Sequence, residues 1–512
     1  MATPRTKVRL ALAALATSLF GAAGCAGLQE PLRSDLGSPD ADVKACASWL
    51  AALDEAVERA GVRDAEAYPV PGFPHLRVNR FLAAFRTQAA ADPAAFAAWQ
   101  AQLRALDART RGYELRNLPA PQLSALGADD WRSAAAHVSA CGDLLSARDS
   151  ADPTRRATLI ARAQVPDDYA DWKRLVGLYP LVRIPFFRLA KDWEAATARA
   201  FQQQPAEAPE ARDLVRYQPP ERAAGSADVA ALFARVKRDA LGIPELGAHD
   251  AEILFAAFAP AFEVDTKGDD DRIGALRWGD REAPEVDAAQ PGVYRRLAFT
   301  RYGNETLVQV VYLIWFNRRP DASWLDLESG TLDGLFFRVT LDPHGRPLVY
   351  DSVHPCGCWH MFFPTELVEP VGSPDPDIEW AFAPRSLPAV APGQRIVLYL
   401  TAGSHQLTGI RIEPVATRAG VPYTMRDDGE LRVLPTATGM RSAYGHDGIV
   451  PGTERRERFI VWTLGIDEPG AMREWGRHAT GMVGRRHFDD ADLIESRFAM
   501  RPPAEISAGA SR

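Results

Sequence analysis

Residues 334–360 read GLFFRVTLDPHGRPLVYDSVHPCGCWH and combine a strand pattern with a dense set of reactive side chains. Apolar residues alternate over 335–341, which is the period of two expected of a β-strand. Residues 342–345 place proline and glycine where a tight turn needs them, and 347–353 supply a return strand. The stretch therefore predicts a β-hairpin that leads directly into His354.

The hairpin is followed by two histidines and two cysteines within seven residues: His354, Cys356, Cys358 and His360. Thiolate and imidazole are the ligands that Zn²⁺ and Cu⁺ favour. On a straight strand these four side chains would spread over about 20 Å. Metal binding therefore requires a bend, which Pro355 and Gly357 favour. We call residues 354–360 the Cys/His loop.

Two further interpretations of the cysteine pair stay open. Cys356 and Cys358 could close a small strained disulfide, which would favour thiol exchange. They could equally be a structural disulfide, or packed thiols, that holds the loop. His405 directly follows a strand predicted at 396–400, at a strand end where functional side chains are often mounted. If it converges with His354, the two imidazoles and one or both thiols make a fuller metal-ligand set.

Composition sets the broad class of protein. A chain of 512 residues with 46% hydrophobic residues is long and apolar enough for two or three domains. Its formal net charge is -8 at pH 7. Nucleic-acid binding requires a basic surface, so we expect no nucleic-acid partner.

The N-terminus has the order of features found in a secretory signal peptide. Three basic residues precede an apolar run over 10–20, and small residues then lead to Cys25. Ala22-Ala23-Gly24-Cys25 resembles the bacterial lipobox. We expect a signal peptide over 1–24, lipid on Cys25 that anchors the chain to a membrane, and a tether over 25–38. The alternative is ordinary secretion. The expected location is the periplasm-facing cell envelope, with the outer membrane favoured because Ala26-Gly27 lacks an inner-membrane aspartate.

The first folded part is predicted to be a helical domain over 39–202. Its apolar residues recur at helical spacing, and Cys46 and Cys141 lie on the apolar sides of two predicted helices. An oxidising compartment permits disulfides. We therefore predict a Cys46–Cys141 disulfide, the alternative being two buried free thiols.

A linker rich in proline and alanine is predicted over 203–226, before a mainly β domain over 227–498. Core strands are expected at 307–316, in the hairpin, at 396–400 and at 459–464. Helices are expected at 467–477 and 489–498, followed by a disordered tail over 499–512. The fold class is α+β, with an all-helical N-terminal domain and a short helical segment near the C-terminus.

Three short segments of the β domain resemble one known family. They are Phe258-Ala259-Pro260-Ala261-Phe262, residues 334–354 with their Tyr350-x-Ser352-x-His354 ending, and residues 398–405 ending in Gly403-Ser404-His405. Over about 255–410 the chain is similar to necrosis-inducing-protein-like and vacuolar-sorting-like β-sandwich proteins. The resemblance implies a mainly antiparallel β-sandwich in which His354 and His405 point toward one site. Asp333-Gly334-Leu335-Phe336 stands where that family has its His-Asp-Trp-Glu cation segment, so its cation chemistry and toxin activity are not carried over.

Two functional hypotheses follow. The first is a lipid-anchored envelope protein with a binding or scaffolding role, whose Cys/His loop is structural or holds Zn²⁺ or Cu⁺. The alternative is a metal- or thiol-dependent envelope enzyme that uses His354, Cys356, Cys358 and His360 together with His405. The sequence specifies neither a catalytic residue nor whether the ligand is a protein or a small molecule.

Overall fold

A computed structural model describes residues 30–203, 213–220, 226–280, 282–324, 326–415 and 418–502. It is a mixed helix-and-strand fold, with helices mainly toward the N-terminus and sheets that are mostly antiparallel. The described chain forms two compact units. We call residues 30–61 and 67–165 the helical unit, and residues 62–66 and 166–502 the sheet unit. The predicted signal peptide over 1–24 and the predicted lipidation site Cys25 lie outside the described residues.

The helical unit contains eight helices and one hairpin within its described part. The helices are α1 Glu30–Leu36, α2 Ala41–Ala60, α3 Arg80–Ala83, α4 Arg86–Ala91, α5 Pro93–Asn117, α6 Ala120–Ala125, α7 Trp131–Ala151 and α8 Pro153–Arg162. The hairpin pairs β1 Tyr68–Val70 with β2 Phe73–Val78. Residues 30–36 of the predicted tether thus form a helix. They are held because buried Asp35 bonds Arg155, with 2.8 Å between Oδ2 and Nη2.

Local chemistry explains where α2 begins and ends. The Asp40 carboxylate accepts hydrogen bonds from the first free N–H groups of the helix, and Gly61 ends it with a φ of 65°. Cys46 of α2 is joined to Cys141 of α7 by a disulfide, which confirms the predicted pairing. A bridge of this kind stabilises a fold by about 2–4 kcal/mol.

The sheet unit carries the remaining elements. Its helices are α9 Asp171–Val176, α10 Tyr179–Gln203, α11 Ser226–Arg235, α12 Ala248–Phe258 and α13 Arg458–Val461, with 3₁₀ turns at Asp269–Asp271, Asp428–Arg432 and Trp462–Leu464. Its strands are β3 Leu214–Gln218, β4 Ala261–Asp265, β5 Ala275–Trp278, β6 Pro284–Asp287, β7 Gly292–Tyr302, β8 Glu305–Arg319, β9 Gly330–Leu341, β10 Pro347–Val353, β11 Met361–Pro364, β12 Val368–Pro370, β13 Gln394–Leu400, β14 Leu407–Pro414, β15 Val421–Pro422, β16 Thr424–Asp427, β17 Leu434–Thr436, β18 Gly439–Arg441 and β19 Phe498–Met500. No helix among all these described residues is long and apolar enough to cross a bilayer.

Two sheets form the framework of this unit. One has the order β11-β10-β9-β8-β7-β16, and the other has the order β14-β13-β4-β3-β15. The predicted hairpin is β9–β10, with Val339 opposite Tyr350, and the predicted strand at 307–316 lies inside β8. Side chains of both sheets, such as Val310 and Leu398, belong to one apolar core.

The boundary between the units falls near residue 165, so the predicted helical domain of 39–202 is too long. Helix α10 belongs to the sheet unit because its buried Phe201 packs into the core of that unit, with its ring centroid 5.5 Å from that of Phe363. Residues 214–218 of the predicted linker form β3. Residues 62–66 also belong to the sheet unit, where buried Glu66 is ion-paired with Arg296 and Arg432.

The C-terminal third departs from the predicted elements. Residues 459–464 are helical rather than a core strand, and Phe459 is 69% exposed. Residues 467–477 form bends, turns and irregular chain, and residues 489–498 form mainly turns, instead of the predicted helices. In the first of these, Gly470 and Gly476 adopt positive φ, which interrupts any helix. Residues 499 and 500 of the predicted tail pair with β12, and 503–512 lie outside the described residues.

Candidate functional site

The Cys/His loop turns sharply between β10 and β11. The His354 N–H donates to the Cys358 carbonyl at 3.0 Å, and the Gly357 N–H donates to the His354 carbonyl at 2.8 Å. Gly357 has a φ of 87°, and a Cβ added there would lie 2.3 Å from the Ala479 carbonyl oxygen. The bend predicted from Pro355 and Gly357 is therefore present, and it depends on the absence of a side chain at Gly357.

Two of the predicted imidazoles share one buried carboxylate. Asp333 of β9 contacts His354 Nδ1 at 3.1 Å through Oδ1 and His405 Nδ1 at 3.0 Å through Oδ2. His405 Nε2 lies 3.2 Å from Asp271 Oδ1. His354 and His405 thus converge, and the group that joins them is Asp333.

Burial and charge oppose one another in this cluster. Burial disfavours the ionised form of Asp333, but the charge and hydrogen bond of His354, with a hydrogen bond from His405, hold its pKa well below the ordinary range. Burial likewise lowers the pKa of His405, but the carboxylates of Asp271 and Asp333 outweigh it and raise that pKa above its ordinary value. The cluster is therefore a charge-compensated buried network.

His360 belongs to a different buried group. Its Nε2 lies 2.9 Å from Asp351 Oδ2, and Asp351 also accepts a 2.9 Å hydrogen bond from Arg338 Nε. Burial lowers the pKa of His360 to about 3, despite its contact with Asp351. The imidazole is therefore neutral at physiological pH.

The predicted metal-ligand set does not assemble. Within the part of the chain that the structure describes, no group of three or more His, Cys, Asp or Glu side chains is arranged to hold a metal ion. His354 and His405 contact Asp333, whereas His360 contacts Asp351. The five predicted residues, His354, Cys356, Cys358, His360 and His405, are thus divided between separate environments.

The two cysteines of the loop are free thiols, so the disulfide considered as one interpretation of Cys356 and Cys358 is not formed. The Cys358 N–H points to Cys356 Sγ at 3.4 Å. The hydrogen bond with Cys356 and burial together raise the pKa of Cys358 well above its ordinary value. Cys358 is consequently protonated at neutral pH, in the form that is a poor nucleophile and a poor metal ligand.

Both thiols line an apolar cavity of about 600 Å³. Its wall is built from α10, the Cys/His loop, residues 379–382, and the segments around 457–470 and 479–486. Three aromatic rings pack together there: the ring centroid of Trp193 is 4.8 Å from that of Trp359 and 5.2 Å from that of Phe382. Most of the remaining wall is aliphatic or aromatic, including Pro185, Phe186, Leu189, Ile460 and Met482.

A few polar groups interrupt this wall. Burial, reinforced by the charge of Glu328, raises the pKa of Glu457 to about 7. Burial also raises the pKa of Glu379. The nearby Arg486 guanidinium is buried and donates to the Thr480 carbonyl at 2.7 Å. Glu457 is therefore partly protonated near neutral pH, and burial disfavours the ionised form of Glu379.

The sequence contained only part of the signal for this site. Residue type alone identified the Cys/His loop and His405 as candidates. Asp333 was not predicted to be a site residue; it appeared only as the first residue of the segment that replaces the family's His-Asp-Trp-Glu sequence. The cavity itself was missed because Trp193, Trp359 and Phe382 are far apart in the chain. The run of aromatic residues beside the Cys/His loop was the one local indication of an apolar site.

No protein-family model, curated protein or solved structure matches this chain.

Replacement of Gly357 by alanine should weaken folding more than the same change at Gly393. Gly393 also has positive φ, 73°, but an added Cβ there meets nothing within 4 Å. Gly393→Ala should therefore cost only backbone strain, about 1 kcal/mol, whereas Gly357→Ala adds a collision worth about 2 kcal/mol more. Urea unfolding of the two variants measures the difference, and equal losses would contradict the packing described for the loop.

The contribution of His478 to the stability of the sheet unit should fall as the pH drops below about 6.5. His478 is buried between Phe336 and Phe488, and burial, with the charge of Arg473, lowers its pKa to about 3. Between these two pH values the unfolded chain binds a proton that the folded chain does not, so acid favours unfolding. His360, whose pKa is also about 3, acts in the same direction.

His478→Gln should reduce the slope of unfolding free energy against pH by about 1.4 kcal/mol per pH unit. Urea titrations between pH 6 and pH 4.5 measure that slope. His249→Gln is the control because His249 is exposed. The prediction fails if the His478→Gln and wild-type slopes coincide.

Proposed function

We propose that the sheet unit binds an apolar small molecule in its cavity and that the chain does so at the cell envelope. The observation that carries this proposal is the cavity of about 600 Å³ with its largely apolar wall. Small-molecule sites have volumes of roughly 300–1,000 Å³ and combine apolar walls with a few polar groups. The cavity beside the Cys/His loop matches that description in size and in chemistry.

The polar part of the wall limits the kind of ligand. Glu457 and Glu379 both have pKa values raised by burial, so bringing an anionic group beside them would oppose their ionisation further. The Arg486 guanidinium offers an anion little compensation, because its donors are already engaged by Thr480 and the Trp380 carbonyl. A neutral head that exchanges hydrogen bonds with a carboxyl group meets no such repulsion. The preferred ligand is therefore a long-chain alcohol, ester or amide rather than a fatty-acid anion.

The Cys/His loop has a structural role in this proposal. Its bend presents Trp359 to the cavity, where the indole packs against Trp193. The protonated thiol of Cys358 adds a small apolar surface, since a free cysteine behaves as a small hydrophobe. Binding then requires neither a metal ion nor a disulfide at Cys356 and Cys358.

Envelope attachment and the sandwich architecture are further parts of the proposal. The order of basic, apolar and small residues before Cys25 supports a lipoprotein signal peptide over 1–24. The shared core of the two large sheets supports a β-sandwich, which is also what the similarity to the necrosis-inducing-protein-like family implies. A lipid on Cys25 would keep the cavity close to a source of apolar ligands.

Filling the cavity should weaken binding. Ala190 of α10 is 6% exposed and lines the cavity, whereas Ala195 of the same helix is exposed and does not. Ala190→Phe should reduce the affinity for a pyrene-labelled long-chain alcohol at least about tenfold, a loss of roughly 1.4 kcal/mol. Ala195→Phe should leave it unchanged, as measured by fluorescence titration with folding checked by circular dichroism.

The matching pyrene-labelled fatty acid should bind wild-type protein more weakly than the alcohol at pH 8, where its head is ionised. Equal affinities of the Ala190→Phe and Ala195→Phe variants for the alcohol would overturn the assignment of the cavity as the binding site.

A second candidate function is chemical catalysis in the same cavity, by the metal- or thiol-dependent enzyme considered above. The observation that favours it is Glu457, whose pKa of about 7 suits general acid–base catalysis. Glu457 lines the same cavity as Cys356 and Cys358. A thiol-dependent or metal-dependent reaction would require these sulfur atoms, whereas apolar binding does not.

The double variant Cys356→Ser/Cys358→Ser separates the two candidates. We expect it to bind the pyrene-labelled alcohol as wild type does, and to carry the same zinc and copper content by elemental analysis, because the thiols only complete the wall. Loss of about one metal equivalent relative to wild type, which is the stoichiometry of a single site, would favour the metal-dependent enzyme instead.

A further inference from the structure

Large apolar side chains are exposed along α9, the junction after it and the first half of α10. Seven residues between 172 and 189 are each 49% to 79% exposed: Trp172, Leu175, Val176, Leu178, Leu181, Ile184 and Leu189. Phe459 and Ile460, both on α13, are 69% and 49% exposed. We call these nine side chains the apolar surface. Single exposed apolar residues are ordinary, but a concentration of this kind marks an interaction site.

The two parts of the apolar surface are joined by close packing. Gly177, between α9 and α10, lies so near Thr463 that an added Cβ would be 2.7 Å from the Thr463 Cα. Arg174 Nε donates to the Leu464 carbonyl at 2.8 Å. The segment that follows Phe459 and Ile460 is thereby fixed against the junction of α9 and α10. The surface is thus formed by ordered helices and not by a loose loop.

Basic residues are interspersed with these apolar side chains. Residues 171–191 contain five basic residues and one acid, in a chain whose formal charge is -8. The basic residues are Lys173, Arg174, Arg183, Arg188 and Lys191. Several make surface ion pairs, such as Lys191 with Glu194 at 2.7 Å, and such exposed pairs are weak. Arg174 is engaged internally, by the Leu464 and Gly484 carbonyls. An exposed helical segment that combines apolar side chains, tryptophan and the other four basic residues is typical of segments that lie at a membrane surface.

The apolar surface is also continuous with the mouth of the cavity. Leu189 and Ile460 are exposed and at the same time line the cavity, as does the 40% exposed Leu327. A molecule that leaves the cavity past these side chains therefore meets an apolar exterior before it meets water. That arrangement suits a ligand taken from, or delivered to, another apolar phase.

We propose that the apolar surface docks onto a lipid bilayer, with Trp172 and the leucines entering the interfacial layer. The docking does not depend on the lipid at Cys25, and its purpose, exchange of an apolar ligand with the membrane, rests on the proposed function. A second copy of this chain is a less suitable partner. A symmetric dimer would set the same basic segment against itself, whereas anionic lipid headgroups complement it.

The test uses residues 26–512, so that neither the apolar run over 10–20 nor acylation of Cys25 can anchor the chain. Flotation is measured with vesicles of phosphatidylcholine alone and of phosphatidylcholine mixed with phosphatidylglycerol. The surface variant is Leu175→Ser/Val176→Ser/Leu181→Ser. The matched control is Val371→Ser/Val421→Ser/Met440→Ser, which alters three other residues of the same unit that are 39% to 41% exposed.

We expect the parent and the control to float with both kinds of vesicle, and more strongly with phosphatidylglycerol present. The surface variant should bind vesicles at least about tenfold more weakly, because three apolar side chains no longer leave water. Equal flotation of the surface variant and the control would overturn the proposal. The proposal would also be overturned if the parent did not float but sedimented as a dimer, and the surface variant sedimented as a monomer.

Ligand binding is measured separately, without vesicles. The surface variant should bind the pyrene-labelled alcohol as the parent does, and Ala190→Phe should float as the parent does. If the parent floats normally but does not bind the alcohol, the docking proposal stands and the proposed ligand of the cavity is refuted. Alcohol binding without flotation would retain the cavity and refute the docking.

Discussion

The Asp333 carboxylate is the interaction on which the site depends. It is 1% exposed, and a buried carboxylate loses hydration worth several kcal/mol. It is compensated by His354, by His405 and by the Gly334 N–H at 2.9 Å. These contacts join β9 to the loop after β10 in the same sheet. They also join β9 to the turn after β13, a strand of the other large sheet. Removal of Asp333 would leave two buried imidazoles without that partner.

Asp333 also accounts for the course of the Cys/His loop. With His354 held at its start and His360 held by Asp351 at its end, the five residues between them must turn within a short distance. The turn is made at Gly357 and at Trp359, whose φ is 62°. A non-glycine residue in that conformation is strained, and the indole of Trp359 is stabilised by packing on Trp193. The electrostatic cluster and the apolar cavity are therefore parts of one arrangement.

Periodicity predicted the regular part of the fold, because alternation and helical spacing report directly which face is buried. It identified β8, β9, β10 and β13, and it placed Cys46 opposite Cys141. It failed at 459–464, where an apolar run is exposed on a short helix, and at 467–477, where glycines with positive φ replace a helix. The metal set failed for a different reason. His354 and His360 are close in sequence, and His405 was expected near them because it follows a strand end. Sequence spacing cannot show which buried carboxylate each imidazole will bind.

Residues 62–66 belong to the sheet unit although they lie between the two sequence segments of the helical unit, and this limits how the sheet unit can be expressed alone. An expression fragment that starts at residue 166 would contain nearly all of the sheet unit but not Asp64 or Glu66. Arg432, which is 3% exposed, would then lose two of the acids that surround it, and Arg296 would lose one. An excised sheet unit would consequently need residues 62–66 to neutralise the guanidinium groups of Arg432 and Arg296. These residues could be supplied through a redesigned connection or as a separate peptide.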